Sequence, residues 1–209
     1  VGIDLRRAFF RPIHEHFGGR LRVIVCGGAP LAAETAAGLT SLGIDVYNGY
    51  GITECSPLIS SNCTLRRVPG SVGVPCTEIE VRIADKDADG NGEIQVRGPH
   101  VMLGYYNDPS ATAAAFTEDG WFRTGDLGRL GRGGALFITG REKNMIILPN
   151  GKNVQPEEIE EALLCGIGYL KEVVVHELLD PTGSPRIAAS AYLDPEWVSA
   201  LGADGARVR

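Results

Sequence analysis

Much of what this 209-residue sequence could have been is excluded by what it lacks. Acidic residues outnumber basic ones for a net charge of -6, so it offers no broad basic face, and a nucleic-acid partner is not expected. The arginines that do gather near the start, Arg6, Arg7, Arg11, Arg20 and Arg22, read as a solvated helix face. Five cysteines (Cys26, Cys55, Cys63, Cys76, Cys165) are odd in number and show no CxxC spacing. That argues against a disulfide framework or a zinc site and for reduced thiols packed as small hydrophobes, as in the cytoplasm. No apolar run approaches bilayer-spanning length, and the first residues carry no secretory pattern, so no transmembrane segment is expected. The phosphate loop GxxxxGKS/T, HExxH, GxSxG and a GxGxxG between strand and helix are all missing. His14 and His16 stand on alternate positions without a third ligand, so both are expected at the surface rather than on a metal.

What is present fits a folded domain: 44% of residues are hydrophobic and 22% charged. The opening VGIDLRRAFF reads like the middle of a helix, so the chain is expected to be a piece of a longer protein. Leu5, Phe9, Ile13 and Phe17 form a helical stripe kinked at Pro12. LRVIV (21–25) has the look of a buried parallel strand, followed by GGAP, with Pro30 at the first helical position, then the helix LAAETAAGLTSL and the strand IDVYN (44–48). Strand, helix, strand in so short a span is a βαβ unit. In such a sheet, ligands bind beyond the carboxyl ends of the strands, where GGAP and GYGITE would both open. Glycines allow close backbone approach, and Tyr50, Thr53 and Glu54 together point to a ligand rather than to an ordinary turn.

From residue 66 the pattern becomes all-β, in short alternating runs separated by Gly- and Asp-rich turns. DKDADGNGE (85–93) imitates a calcium loop, but its twelfth position is Val96 and no helix flanks it, so an acidic hairpin turn is expected. After residue 140 come the strand MIIL, the turn LPNGKN, the helix PEEIEEALL, the strands KEVVVHE and RIAASAYL, and the helical start DPEWVSALG. The expected fold class is therefore α/β. A βαβ part of a large domain (1–65) leads into a β-rich subdomain resembling a distorted barrel (66–140), then an incomplete small α+β domain (141–209).

Five blocks, GGAPLAAE (27–34), YNGYGITE (47–54), GEIQVRGPHVMLGYYNDP (92–109), DGWFRTGDLG (119–128) and ITGREKNMIILPNGKNVQPEEIE (138–160), occur in an order and spacing that resembles the adenylate-forming superfamily. The GGAPL and LPNGKNV wording looks most like long-chain fatty-acid CoA ligases. The resemblance covers essentially the whole chain, and it implies an enzyme that joins a fatty-acid carboxylate to AMP, releasing pyrophosphate from ATP, then passes the acyl group to CoA. Implied cofactors are ATP/AMP and Mg²⁺, with CoA as co-substrate and a fatty acid as partner.

By the same resemblance, Tyr50 lies against adenine, with Asn48, Gly49, Gly51 and the Gly28–Ala29–Pro30 turn around the base. Thr53 bonds phosphate oxygens, and Glu54 holds the metal, a hard cation suited to carboxylate oxygen. Asp126 accepts from the ribose hydroxyls, Ile138 gives apolar cover, and Arg141 closes on ribose and phosphate. Lys143 sits at the hinge about which the small domain swings, and Gly151 and Lys152 line the CoA path. Trp121 and Phe122 are expected in the core. The family's phosphate loop would precede residue 1 and its catalytic lysine would follow; Lys86, Lys143, Lys152 and Lys171 do not stand in that lysine's context. This piece alone is expected to be inactive. The expected location is cytoplasmic, with association to the inner face of a membrane open. Loading of a carrier protein instead of CoA, and a truncated non-catalytic nucleotide-binding module, stand as alternatives.

Overall fold

A computed structural model describes residues 4–29, 31–62 and 67–200. The chain divides into two units, Val1–Thr124 with Gly128–Ile138, and Gly125–Leu127 with Thr139–Arg209.

The first unit opens with two short helices, α1 (Arg6–Phe9) and α2 (Arg11–His16), where the sequence predicts one kinked helix. The break falls at Phe10, and Pro12 sits in the first turn of α2, the place where a missing N–H costs nothing. The arginines are more than a solvated face: Arg6 Nη1 donates to the Thr40 carbonyl at 2.7 Å and Arg7 Nη1 to the Leu21 carbonyl at 2.8 Å, tying the first helix to later segments of the βαβ unit. His16 is exposed as expected, but His14 is not, being 4% exposed with ring Nε2 2.8 Å from the Leu42 carbonyl. Burial of an imidazole requires such a partner, and a helix packing against its return connection supplies it.

Strand β1 (Val23–Cys26) pairs in parallel with β2 (Asp45–Gly51) through helix α3 (Ala33–Ser41), completing the βαβ unit. β1 is not buried on both sides as its apolar run suggests: Val25 is 73% exposed, on the outer strand of the order β1-β2-β3-β4. β3 (Leu58–Ser61) and β4 (Val74–Pro75) continue the sheet antiparallel.

A second sheet has the order β5-β6-β7-β8, with β5 (Glu80–Ala84), β6 (Gly92–Arg97), β7 (Phe122–Leu130) and β8 (Leu136–Arg141). Helix α4 (Pro109–Ala115) lies between β6 and β7 in sequence. Among the described residues this sheet does not close on itself, so the barrel expected for 66–140 is an open four-stranded sheet. Closure needs the outermost strands to pair, and β5 and β8 do not. The Asp-rich loop joins β5 to β6 as a hairpin, in which Asp87 Oδ1 accepts from the backbone N–H of Asp89 and Asn91, both at 2.9 Å. The core of this unit gathers Ile59, Cys55, Ile94, Val96 and Leu136, all fully buried, with Phe122 beside them. Trp121 is buried as expected and carries the guanidinium groups of Arg82 and Arg97, each 4.5 Å from its ring centre.

In the second unit, β9 (Ile146–Ile147) and β10 (Asn153–Val154) form a small hairpin whose turn places Gly151 at φ +78°. Helix α5 (Pro156–Gly166) starts with proline followed by Glu157 and Glu158, acids placed against the positive end of the helix dipole. β11 (Leu170–Leu179) and β12 (Pro185–Leu193) make a long antiparallel pair before α6 (Pro195–Ala200). A separate core of Ile146, Leu170, Val173 and Val175 is lined by Ile159 and Leu163 of α5.

Candidate functional site

The parallel pairing of β1 and β2 sets Cys26 opposite Asn48, so the turn after β1 begins beside the NGYG stretch. A Cβ on Gly27 would come within 3.3 Å of the Gly49 carbonyl oxygen, which shows how closely the two backbones approach. Gly28 takes φ +80°, and nothing lies within 4 Å of where its Cβ would stand: an open, glycine-lined surface compatible with a ligand approaching the backbone. Gly28 and Ala29 are exposed, while Pro30 lies outside the described residues.

The sequence predicts a pliable loop after Asn48, but β2 runs on through Gly51, pairing Gly49 with Ser61 and Tyr50 with Ser60. Asn48, through its carbonyl, accepts from Asn62 N at 2.9 Å. Backbone pairing with β3, the next strand in the chain, is what stiffens a glycine-rich stretch that would wander alone. Gly51 is required: a Cβ there would collide with the Pro57 backbone. Tyr50 is 9% exposed and belongs to the core cluster. The pliable element is displaced to residues 52–57, where Thr53–Cys55 form a single 3₁₀ turn closed by Ser56 at φ 58°.

On that turn Thr53 is exposed, Glu54 half-buried and Cys55 fully buried. Burial, reinforced by the Glu54 charge, pushes the Cys55 thiol up to about 11, so it stays protonated and serves as packing. Glu54 is held by a segment that sequence reasoning left without a named residue. Its carbonyl accepts from Met102 N at 2.7 Å, and its Oε1 accepts from the Tyr105 hydroxyl at 3.1 Å. Burial and this bond raise the Tyr105 phenol above its ordinary range. Ser56 Oγ, next along, donates to the His100 carbonyl at 2.9 Å. The GYY triplet inside the 92–109 block was the signal available in sequence, though nothing in it pointed to Glu54. A carboxylate with one oxygen so engaged keeps the other as a donor of the hard type that Mg²⁺ takes, so Glu54 fits the metal.

In the second unit Asp126 and Arg141 meet directly, Arg141 Nε lying 2.8 Å from Asp126 Oδ1. The aspartate side chain is only 4% exposed and the arginine 63%. Lys143 is exposed on the 3₁₀ turn Glu142–Asn144, and Asn144 Nδ2 donates to Glu157 Oε1 at 2.8 Å. Gly151 and Lys152 are exposed on the β9–β10 turn, whose Leu148 and Lys152 are joined by a backbone bond of 3.0 Å. Ile138, in the first unit, packs against that unit's core.

Residues 5–106 match the family model described as AMP-binding enzyme. Over 190 residues the chain is 38% identical to long-chain-fatty-acid–CoA ligase FadD15 of Mycobacterium bovis, covering 91% of this chain and 30% of the relative. It is 36% identical to the long-chain-fatty-acid–[acyl-carrier-protein] ligase AEE15 of Arabidopsis thaliana, covering 91% and 29%. Among solved structures it resembles the O-succinylbenzoate coenzyme A synthetase of Bacillus subtilis in complex with ATP and magnesium ion, with a TM-score of 0.74 at 29% identity, over 90% of this chain and 40% of that one. The chain belongs to the adenylate-forming superfamily of AMP-binding enzymes. Within that superfamily it is most like the long-chain fatty-acid–CoA ligases, although it spans less than a third of the length of the curated relatives it matches.

Proposed function

We propose that this chain is part of an ATP-dependent ligase that adenylates a fatty-acid carboxylate and transfers the acyl group to CoA. The observation that carries the reading is the close approach of the glycine turn after β1 to the glycine-bearing end of β2, with Thr53 and Glu54 on the 3₁₀ turn that follows. Crevices at strand carboxyl ends are where open α/β sheets take ligands.

In this reading the 28–30 turn, Asn48, Gly49, Tyr50 and Gly51 accept the adenine, Thr53 donates to phosphate oxygens, and Glu54 holds Mg²⁺. Magnesium, when bound, offsets phosphate charge. Asp126 is the ribose acceptor and Arg141, its ion-pair partner, the cationic clamp on ribose and phosphate, a pairing that holds the buried carboxylate in place. Residues 141–209 act as a small mobile domain hinged at Lys143, with Gly151 and Lys152 on the CoA path. The enzyme works in the cytoplasm or against the inner face of a membrane, where a fatty acid resides.

The test is carried out on the full-length protein: fatty-acid-dependent pyrophosphate release from ATP, across acids of increasing chain length, followed by capture of the acyl group on free CoA. Pyrophosphate release without any acid dependence refutes the reading. Likeness to the carrier-protein ligase supports a second acceptor. Acyl transfer to a carrier protein but not to free CoA selects it.

A further inference from the structure

We infer that Tyr105 is a positioning residue for the metal-binding carboxylate, an inference resting on the reading of Glu54 as the Mg²⁺ ligand. The geometry holds Glu54 at two points from a single segment: Met102 N on its carbonyl at 2.7 Å and the Tyr105 hydroxyl on Oε1 at 3.1 Å. Tyr105 is itself anchored, since its backbone N–H donates to Thr112 Oγ1 at 2.9 Å and that hydroxyl donates to the Asp108 carbonyl at 2.8 Å. Asp108 caps helix α4 by accepting from Ala111 N at 2.9 Å, which fixes the start of the helix that carries Thr112. Gly104 makes the arrangement feasible, because a Cβ there would press to 2.7 Å from the Thr112 side chain.

The consequence is a chain of constraints from a helix cap to a carboxylate oxygen. With Oε1 tied to a neutral donor, the carboxylate is held in orientation without a cationic partner that would compete with a metal ion for it. Oε2 accepts no hydrogen bond from any described residue, and it is the oxygen left for the metal. Outer partners of ligating carboxylates act in this way, orienting the ligand and raising metal affinity. The sequence distance of 51 between the two residues makes the pair a tertiary device and not a turn.

The experiment uses the full-length protein, with Mn²⁺ as the probe, titrated in the presence of ATP and read by electron paramagnetic resonance. Wild type, Tyr105→Phe, Glu54→Gln and the double variant are compared, alongside the Mg²⁺ concentration giving half-maximal pyrophosphate release. Tyr105 is 40% exposed, so loss of one hydroxyl leaves the fold in place. Tyr105→Phe is expected to weaken Mn²⁺ binding about tenfold and to raise the Mg²⁺ requirement more than it lowers kcat at saturating Mg²⁺. Once Glu54 is replaced, removing the hydroxyl should have no further effect. Unchanged Mn²⁺ affinity in Tyr105→Phe, with or without a fall in melting temperature, overturns the inference. Additive losses in the double variant also overturn it, since Tyr105 would then act elsewhere. If Glu54→Gln binds Mn²⁺ as wild type does, the reading of Glu54 as metal ligand fails first and the inference falls with it.

Discussion

Glu54 in the first unit and Asp126 in the second are the two acids on which a nucleotide reading rests, and they are secured in different ways. Glu54 is half-buried on a single 3₁₀ turn and is held by a backbone N–H and a neutral phenol. Asp126 is almost fully buried on a strand and faces a permanent cation. The first arrangement preserves a free negative charge for a cation. The second balances a charge that burial would otherwise penalise, and its partner is exposed enough to move. A neutral support leaves the proposed metal ligand without a competing cation, whereas a charged partner offsets the burial of the proposed ribose acceptor.

The comparison can be broken most forcefully at Asp126. Asp126→Ala in the full-length protein is expected to cut acid-dependent pyrophosphate release at least about a hundredfold, the scale of losing one preorganised polar contact. Arg141→Ala is expected to lower folding stability by about 3 kcal/mol, because it takes away the cation paired with a carboxylate that is only 4% exposed. A melting temperature unchanged in both, with activity also unchanged, would remove Asp126 from the site.

The two cores offer the next contrast. Ile94 is completely buried in the larger cluster, so Ile94→Ala is expected to destabilise by about 3 kcal/mol. Val173, 8% exposed in the smaller cluster, loses less surface, and Val173→Ala is expected to cost about 1.5 kcal/mol by urea midpoint. Equal costs would mean the smaller core is as tightly packed as the larger.

Thiol chemistry sharpens the same contrast. With its thiol raised to about 11 by burial, Cys55 should alkylate far more slowly at pH 8 than exposed Cys165, as read by peptide mass spectrometry. Comparable rates would show that the Glu54 turn opens readily.

The smallest effect is at Asp119, whose carboxyl is held below the usual carboxylate range chiefly by the Arg82 guanidinium and next by the Thr117 hydroxyl. A depressed folded-state value means that this stabilisation is present above the unfolded value of about 4 and is lost as pH falls below it. Asp119→Asn should therefore lower the urea midpoint slightly at pH 7 and by progressively less as pH falls below about 4. A larger loss at pH 2 than at pH 7 would reverse the sign and exclude the pairing.

The family and several stretches of the fold were legible in the residues alone. The βαβ start, the alternating β-rich middle, the acidic hairpin turn at 85–93 and the proline-started helix α5 are written in neighbouring residues, because periodicity, turn chemistry and helix starts are local effects. Only tertiary structure decided where the pliable element lies, since pairing with β3 converted the stretch through Gly51 into strand. It also buried His14 against Leu42, left β1 exposed on the outside of its sheet, and kept the second sheet open. Tyr105 reached Glu54, and Arg141 reached Asp126, by the same route. Each of these depends on which residues, separate in the chain, come together, and a single sequence carries no periodic trace of such a partner.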